Sequence, residues 1–233
     1  MRALRISRSV QAAAAAALAV LCAFAAPADD AAPVQTAFAS PSVMPPPAPV
    51  LSVFGSRSFV RGRPETIKQW ASFAPRYRAE EAAIDACLAD ASACPNDAAR
   101  SWSQMMATLR TQDPRTQVEM LNRFVNRLRH HVADSDIWSR SDYWATPFEF
   151  LARNGDCEDF AILKYVSLRH LGFADAALRL AVVMDESRNL GHAILLVAMA
   201  DGETLVLDNV YDEILPDDEI PFYAPQYSVN FTT

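Results

Sequence analysis

The spacing of hydrophobic positions changes along the chain, from a helical period in the first part to strand-like runs in the second. Between residues 65 and 132, apolar side chains recur every three or four positions, as at Val118, Leu121 and Val125, which is typical of amphipathic helices. Pro75 is expected to divide the first helix in two, because proline interrupts helical hydrogen bonding. The pattern predicts helices over 65–88, 97–110 and 114–132.

Two further helices are predicted before the period changes, a short one over 147–152 and a longer one over 156–171. Asp156 is placed to cap the longer helix and Gly172 to end it. Asp201-Gly202 predicts a tight hairpin between the last two of the strands that follow. Because helices come first and an antiparallel sheet follows, the predicted fold class is α+β. The predicted strands are 178–184, 192–199 and 204–210.

The first 25 residues have the form of a secretory signal peptide. Three arginines lie within the first eight residues, an apolar stretch follows over 10–24, and Ala23-Phe24-Ala25 fits a cleavage site. The apolar stretch is short for a transmembrane helix. We therefore expect an exported protein, located in a bacterial periplasm.

An Ala/Pro-rich segment, 26–60, follows the signal peptide and contains three consecutive prolines. Such a composition buries too little apolar surface to offset the entropy lost on ordering, so it predicts a linker or disordered arm. An arm docked on the core is the alternative. The remaining residues, 61–233, are predicted to form one domain.

Composition narrows the possible functions. With 51% hydrophobic and 21% charged residues, the chain has enough apolar content for a globular core. A net charge of −7 argues against nucleic-acid binding, which requires a basic face. Only 6 glycines are present and none forms a phosphate-cradling loop, which argues against a nucleotide-binding fingerprint.

Four cysteines leave one candidate nucleophile. Cys22 is expected to leave with the signal peptide, and Cys87 and Cys94 would pair in an oxidising compartment. Cys157 is then a single free thiol at the start of a helix, where unpaired N–H groups and the helix dipole favour a thiolate. The same N–H groups are candidate oxyanion donors. The alternative is that Cys157 is a small buried hydrophobic residue.

His192 opens one predicted strand, and Asp208 lies near the end of the next. A nucleophilic thiol needs a base, and the base needs a carboxylate to orient it. A two-residue turn at Asp201-Gly202 would place these side chains on opposite faces of the sheet, because successive side chains alternate. A triad therefore requires a loop of odd length or a bulge, and we predict one of them.

Three acidic residues, Asp156, Glu158 and Asp159, surround Cys157 in the sequence. Their repulsion would raise the pKa of the thiol. One interpretation is that acids simply favour helix N-termini. The other is a site for a hard cation such as Ca²⁺, which would cancel the negative field. The residues alone leave both interpretations open.

Several motifs resemble those of a known family, the bacterial transglutaminase-like cysteine proteinases, over roughly residues 60–230. The best-understood members of this family are the LapG-type periplasmic proteases. The motifs occur in the order expected for the family: Asp142-Tyr143-Trp144-Ala145-Thr146-Pro147-Phe148-Glu149-Phe150, Gly155-Asp156-Cys157-Glu158-Asp159-Phe160, Lys164-Tyr165, Gly191-His192-Ala193 and Leu207-Asp208-Asn209.

The resemblance implies a papain-like or transglutaminase-like fold, with Cys157 as nucleophile, His192 as base and Asp208 as orienting carboxylate. It also implies calcium bound by Asp156 and Glu158, and so favours the cation interpretation. LapG-type enzymes cleave large surface adhesins near their N-terminus and are sequestered by an inner-membrane receptor that responds to cyclic di-GMP. The resemblance therefore implies a protein substrate and a role in biofilm attachment. Amide transfer from the same acyl-enzyme and a non-catalytic, calcium-stabilised binding module are the alternatives.

Overall fold

The computed structural model describes residues 52–57 and 63–232. The predicted signal peptide and most of the predicted arm lie outside these residues. Within the described part of the chain, no helix combines the length and the apolar character needed to cross a membrane.

Helices make up most of the described chain before the sheet. Asn96 and Asp113 accept hydrogen bonds from backbone N–H groups of the second and third helices, so they satisfy donors that have no partner within the helix. Single 3₁₀ turns lie at Pro64–Thr66, Ala91–Ala93, Asp175–Ala177 and Asp217–Glu219. The α-helices are α1 (Lys68–Ala89), α2 (Asp97–Leu109), α3 (Pro114–Leu128), α4 (Asp134–Trp138), α5 (Pro147–Arg153) and α6 (Cys157–His170).

Helix α1 is continuous over 22 residues, so the predicted division at Pro75 is wrong. Pro75 cannot donate to the Ala71 carbonyl, but both residues are exposed, and water can reach that carbonyl. The opposite side of the helix buries Trp70, Phe73 and Tyr77. Burying each such ring contributes about 1.5–3 kcal/mol, which together exceeds the cost of the missing hydrogen bond.

Helix α6 lies at the centre of the molecule, and every residue from Glu158 to Leu168 is buried. Helices α3 and α5 cover one side of it and the sheet covers the other. Its buried polar group Ser167 is satisfied, because the Trp102 indole donates to the Ser167 hydroxyl (2.8 Å). This packing fixes the N-terminus of α6, where Cys157 lies, relative to the sheet.

A five-stranded antiparallel sheet follows the helices, which confirms the α+β class. The last strand, Tyr223–Val229, lies at one edge of the sheet and was not predicted, because Pro225 and polar residues obscure its alternating pattern. Pro225 lies beside a register shift on this edge strand, where a proline is tolerated. The strands, in the spatial order β6-β5-β4-β3-β7, are β3 (Leu178–Asp185), β4 (Leu190–Ala198), β5 (Thr204–Leu207), β6 (Leu215–Pro216) and β7 (Tyr223–Val229).

The two faces of the sheet pack against different parts of the chain. One face, which includes Leu180 and Leu195, joins the main core around α6. The other face carries a smaller apolar cluster that includes Ile194 and Tyr223, with Phe54 packed against it. Phe54 belongs to a hairpin formed by β1 (Ser52–Val53) and β2 (Ser56–Arg57). These residues fall within the segment predicted as a linker or disordered arm, but here they dock on the domain, as in the alternative considered above.

Cys87 and Cys94 form the predicted disulfide, and both residues are buried. Replacing both with serine is expected to lower the free energy of unfolding by about 2–3 kcal/mol, because the bridge restricts a short loop in the unfolded chain. Urea denaturation of the parent and the double variant, each with and without reductant, measures this effect. Reductant should lower the midpoint of the parent and of Cys157→Ser, but not that of the double variant. A parent protein insensitive to reductant would contradict the prediction.

Candidate active site

The loop between β4 and β5 determines how the two strands present their side chains. Ala198 pairs with Thr204, so five residues lie between the strands. The loop closes through a hydrogen bond from the Met199 amide to the Glu203 carbonyl (2.8 Å). The predicted hairpin between these strands is therefore present, with Asp201-Gly202 inside its loop, and the predicted odd length of that loop is confirmed.

As a result of this register, His192 and Asp208 lie on the same face of the sheet. His192 Nε2 is 2.9 Å from Asp208 Oδ1, and both residues are almost fully buried, at 4% and 2% exposed. An ionised carboxylate can only accept, so Nε2 carries the proton of the neutral imidazole. Nδ1 is then the ring nitrogen that can accept a proton.

Asp208 receives hydrogen bonds on both carboxylate oxygens. Oδ1 also accepts from the Val210 amide (2.8 Å), and Oδ2 accepts from the Tyr223 hydroxyl (2.5 Å). Burial acts to raise the pKa of Asp208, but the hydrogen bonds and the nearby imidazole outweigh it and hold the pKa below its usual value. The carboxylate is thus ionised despite its burial. Tyr223 was not predicted as a site residue, because it lies on the strand whose pattern is obscured by Pro225 and polar residues.

Cys157 is the first residue of α6 and is half-buried. Its thiol donates a hydrogen bond to Glu158 Oε2 (3.3 Å). The backbone N–H of Ala193, the residue after His192 on β4, is near enough to the sulfur to act against the rise in the pKa of the thiol. The structure therefore brings Cys157, His192 and Asp208 to one end of the sheet, although 51 residues separate the first from the last.

The turn before Cys157 requires glycine at position 155. A Cβ atom there would overlap the Asp159 side chain. The Gly155 carbonyl accepts from the Val132 amide (2.8 Å), which ties the turn to the segment after α3. The absence of a side chain thus lets Asp159 fold back against the turn that presents Cys157.

The electrostatic environment of Cys157 opposes ionisation. Burial raises the pKa of the thiol, and the carboxylates of Glu158 and Asp156 raise it further. These effects outweigh the stabilisation that the helix N-terminus was expected to provide. Asp156 occupies the N-cap position, but its side chain makes no capping hydrogen bond, contrary to the sequence expectation.

Carboxylates from three segments converge beside Cys157. Oxygens of Asp134, Asp156 and Asp159 all lie within 4.8 Å of one another, and so do oxygens of Asp134, Asp142 and Glu158. Asp134 and Asp142 were not assigned to this site from the sequence, because they lie far from Cys157 along the chain. Asp142 nevertheless opens one of the motifs that carried the family resemblance.

Several oxygens in this cluster are left without partners. Within the described residues, Asp134 Oδ1, Asp156 Oδ1 and Asp159 Oδ2 are buried and make no hydrogen bond. Burial raises the pKa of Asp134 to about 6, and the neighbouring carboxylates add to the effect. Burial and Asp156 likewise raise the pKa of Glu158. A set of carboxylate oxygens with uncompensated negative charge fits a hard cation such as Ca²⁺.

A fully buried lysine, Lys164, lies on α6. Lys164 Nζ has no hydrogen-bond partner among the described residues, and burial lowers its pKa to about 7 against the opposing effect of Asp208 and Asp212. In the sequence, Lys164 stands out only as part of a motif. Its burial beneath the site could not be read from that motif.

The buried Lys164 gives the protein a characteristic pH dependence of stability. Its pKa is about 7 when folded, below the ordinary 10.5, so the unfolded chain binds more protons between these values. The parent protein should gain stability relative to Lys164→Met as the pH rises from about 7 to about 10, on the order of 1 kcal/mol per pH unit. Urea denaturation across this range measures the difference. Lys68→Met, which removes an exposed lysine, should not show the trend, and a constant difference for Lys164→Met would contradict the prediction.

Comparisons with known proteins identify a family and similar solved structures. A sequence profile described as bacterial transglutaminase-like cysteine proteinase (BTLCP) matches residues 80–226. LapG of Legionella pneumophila is similar in structure, with 29% sequence identity, a TM-score of 0.55, and coverage of 63% of this chain and 83% of LapG.

The calcium-bound form of the same LapG gives the same values, and the EGTA-treated form differs only in that 81% of its chain is covered. A comparison with proteins of curated function found no match. The family match spans more than half of the chain and includes Cys157, His192 and Asp208. The chain therefore belongs to the bacterial transglutaminase-like cysteine proteinases.

Proposed function

We propose that the protein is a calcium-dependent cysteine endopeptidase of the bacterial periplasm, with Cys157, His192 and Asp208 as its catalytic triad. The observation that carries this proposal is the 2.9 Å hydrogen bond between buried His192 and Asp208. The Cys157 sulfur lies near the backbone N–H of the next residue of the same strand, Ala193. The family assignment supports peptide hydrolysis as the reaction.

In the proposed mechanism, the Cys157 thiol gives its proton to His192 Nδ1, and the thiolate attacks the carbonyl carbon of a peptide bond. The backbone N–H of Cys157, the first residue of α6, stabilises the oxyanion. His192 then protonates the departing amine as the C–N bond breaks, which leaves an acyl-enzyme. Water, deprotonated by His192, attacks the thioester and releases the carboxylic acid and the Cys157 thiol.

Asp208 has a supporting role in these steps. It fixes the tautomer of His192 by accepting the Nε2 proton, and its negative charge stabilises the imidazolium that forms when Cys157 loses its proton. Because its pKa is held below the usual value, it stays charged throughout the neutral pH range.

Calcium would be held by Asp156 and Glu158, with oxygens of Asp134, Asp142 and Asp159 close by. A bound cation supplies positive charge that offsets the carboxylates beside the thiol. Two observations support this part of the proposal: the buried carboxylate oxygens lack partners among the described residues, and the similar LapG is known in calcium-bound and EGTA-treated forms.

The substrate that we propose is a protein, specifically a large surface adhesin cleaved near its N-terminus. The similarity to LapG-type proteases supports this choice, and it also suggests sequestration by an inner-membrane receptor for cyclic di-GMP. Such an enzyme would regulate biofilm attachment. Amide transfer would use the same acyl-enzyme, so a test must distinguish the two outcomes.

The triad predicts how fast iodoacetamide alkylates Cys157 in the mature protein with calcium present. His192→Ala should slow alkylation by about 10²-fold or more, because the thiol loses its base. Asp208→Asn should slow it less, because the base remains but loses its orientation. His170→Ala, which removes a histidine at the far end of α6, is the matched control and should react at the parental rate. Equal rates for all four proteins would contradict the triad and favour a binding module with an inactive Cys157.

The fate of the acyl-enzyme separates hydrolysis from amide transfer. An unfolded protein substrate incubated with a primary amine should yield peptides with free carboxyl termini, detected by mass spectrometry. Amine incorporated at glutamine side chains, without chain cleavage, would instead establish the transglutaminase reaction.

Calcium is expected to raise the thermal stability of the parent protein, by about 2.7 kcal/mol at a concentration 100 times the dissociation constant. Asp156→Asn and Glu158→Gln should each weaken calcium binding, because each removes a charged ligand. Thermal unfolding in calcium and in EGTA, with calorimetric titration, measures both effects. Asp218→Asn, which removes an acid from an exposed 3₁₀ turn, should behave like the parent. If the thermal stability and the alkylation rate of the parent protein are the same in calcium and in EGTA, this part of the proposal is contradicted.

A further inference from the structure

Tyr223 links the His192–Asp208 pair to the hairpin formed by residues 52–57. Its hydroxyl donates to Asp208 Oδ2 (2.5 Å), and its ring lies 5.7 Å from the His192 ring. Burial and the Asp208 carboxylate both raise the pKa of Tyr223, so its hydroxyl remains a donor. On its other side, the ring of Phe54 meets Tyr223 edge-on at 5.8 Å. A continuous set of contacts thus runs from the hairpin to the imidazole.

The hairpin holds Phe54 in an unfavourable backbone conformation. Phe54 and Gly55 have φ angles of 50° and 69°, both in the left-handed region that a bulky side chain rarely adopts. Such a conformation persists only where surrounding contacts enforce it. Here the Phe54 amide donates to Asp217 Oδ2 (2.8 Å), and the ring is fixed against Tyr223. The turn is therefore shaped by its contact with the strand that carries Tyr223.

We propose that Tyr223 is a positioning residue for Asp208 and that the Ser52–Arg57 hairpin holds Tyr223 in place. The hairpin precedes the region matched by the family, residues 80–226. In this proposal, a segment outside the matched region therefore contributes to the reactivity of Cys157. This inference rests on the proposed triad.

The proposed role follows from what Asp208 requires. A buried carboxylate keeps its charge and position only when donors occupy both oxygens, and Tyr223 is the donor seen on Oδ2. Lys164 on α6 and Arg188 between β3 and β4 also interact electrostatically with Asp208. They contribute charge, whereas the tyrosine hydroxyl contributes a directed hydrogen bond.

The test compares Tyr223→Phe and Phe54→Ala with the parent in the mature, calcium-loaded protein. Iodoacetamide alkylation of Cys157 is measured as a function of pH. Tyr223→Phe should slow alkylation by about 10- to 100-fold at neutral pH, because one donor to a buried charge is lost. The acid limb of its pH profile should move to higher pH, because Asp208 then protonates more easily. Phe54→Ala should slow alkylation in the same direction, on the order of several-fold.

A matched control separates positioning from general loosening of the fold. Tyr165 donates its hydroxyl to Asp175 within the core, so Tyr165→Phe also removes a tyrosine–aspartate hydrogen bond. It should lower the thermal unfolding temperature comparably but leave the alkylation rate and its pH profile unchanged. Equal slowing by Tyr165→Phe, or a parental profile for Tyr223→Phe, would overturn the role of Tyr223. A parental rate for Phe54→Ala would overturn the role of the hairpin.

The same experiment distinguishes this inference from the proposed function. If His192→Ala and Asp208→Asn slow alkylation but Tyr223→Phe does not, only the positioning role fails. If none of the three changes the rate, the triad itself is wrong. The double variant Phe54→Ala/Tyr223→Phe should react no more slowly than Tyr223→Phe alone, because both residues act through one hydrogen bond. Additive slowing would show that Phe54 acts by another route.

Discussion

Buried Asp208 connects its own segment to three other parts of the chain, and the geometry of the candidate site depends on it. Its side chain binds His192 on β4 and Tyr223 on β7, and its backbone carbonyl accepts from Asn126 on α3 (2.9 Å). An unpaired carboxylate in this position would be strongly destabilising, so the fold must supply donors on both oxygens. The odd loop between β4 and β5 matters for this reason, since a shift by one residue would turn Asp208 away from every one of these partners.

The buried carboxylates around the candidate site differ in how their charge is balanced. Asp208 is surrounded by donors, and its pKa is lowered in spite of burial. Asp134 and Glu158 are also buried, and burial raises their pKa values, with neighbouring carboxylates adding to the effect. The first environment suits a residue that must stay ionised without a ligand. The second suits residues that become stable as anions only when a cation joins them.

The sequence carried enough information to predict the longer helices and the parity of the β4–β5 loop, because both follow from the spacing of side chains, but not the five-residue helix α4. Other features depend on contacts that spacing does not encode. The predicted break at Pro75 was wrong because only the packing of α1 shows that Pro75 lies on the side of the helix that faces water. Tyr223 was missed because Pro225 interrupts the alternating pattern of its strand. Phe54 was missed because the strands on either side of it have only two residues each, too few to show a period. The acids flanking Cys157 were read directly from the sequence, whereas Asp134 and Asp142 reach the cluster only through the fold.

Satisfied and unsatisfied polar groups are distributed unevenly around α6. In the body of the core, Ser167 and Tyr165 have partners in Trp102 and Asp175. Toward Cys157 and Asp208, buried atoms of Asp156, Asp159 and Lys164 have none among the described residues. Native proteins rarely leave buried polar groups unpaired, and an exception calls for a specific explanation. The charged groups among these unpaired atoms, those of Asp156, Asp159 and Lys164, therefore lie beside the candidate site, whereas His170 Nε2 is an unpaired atom at the far end of the helix.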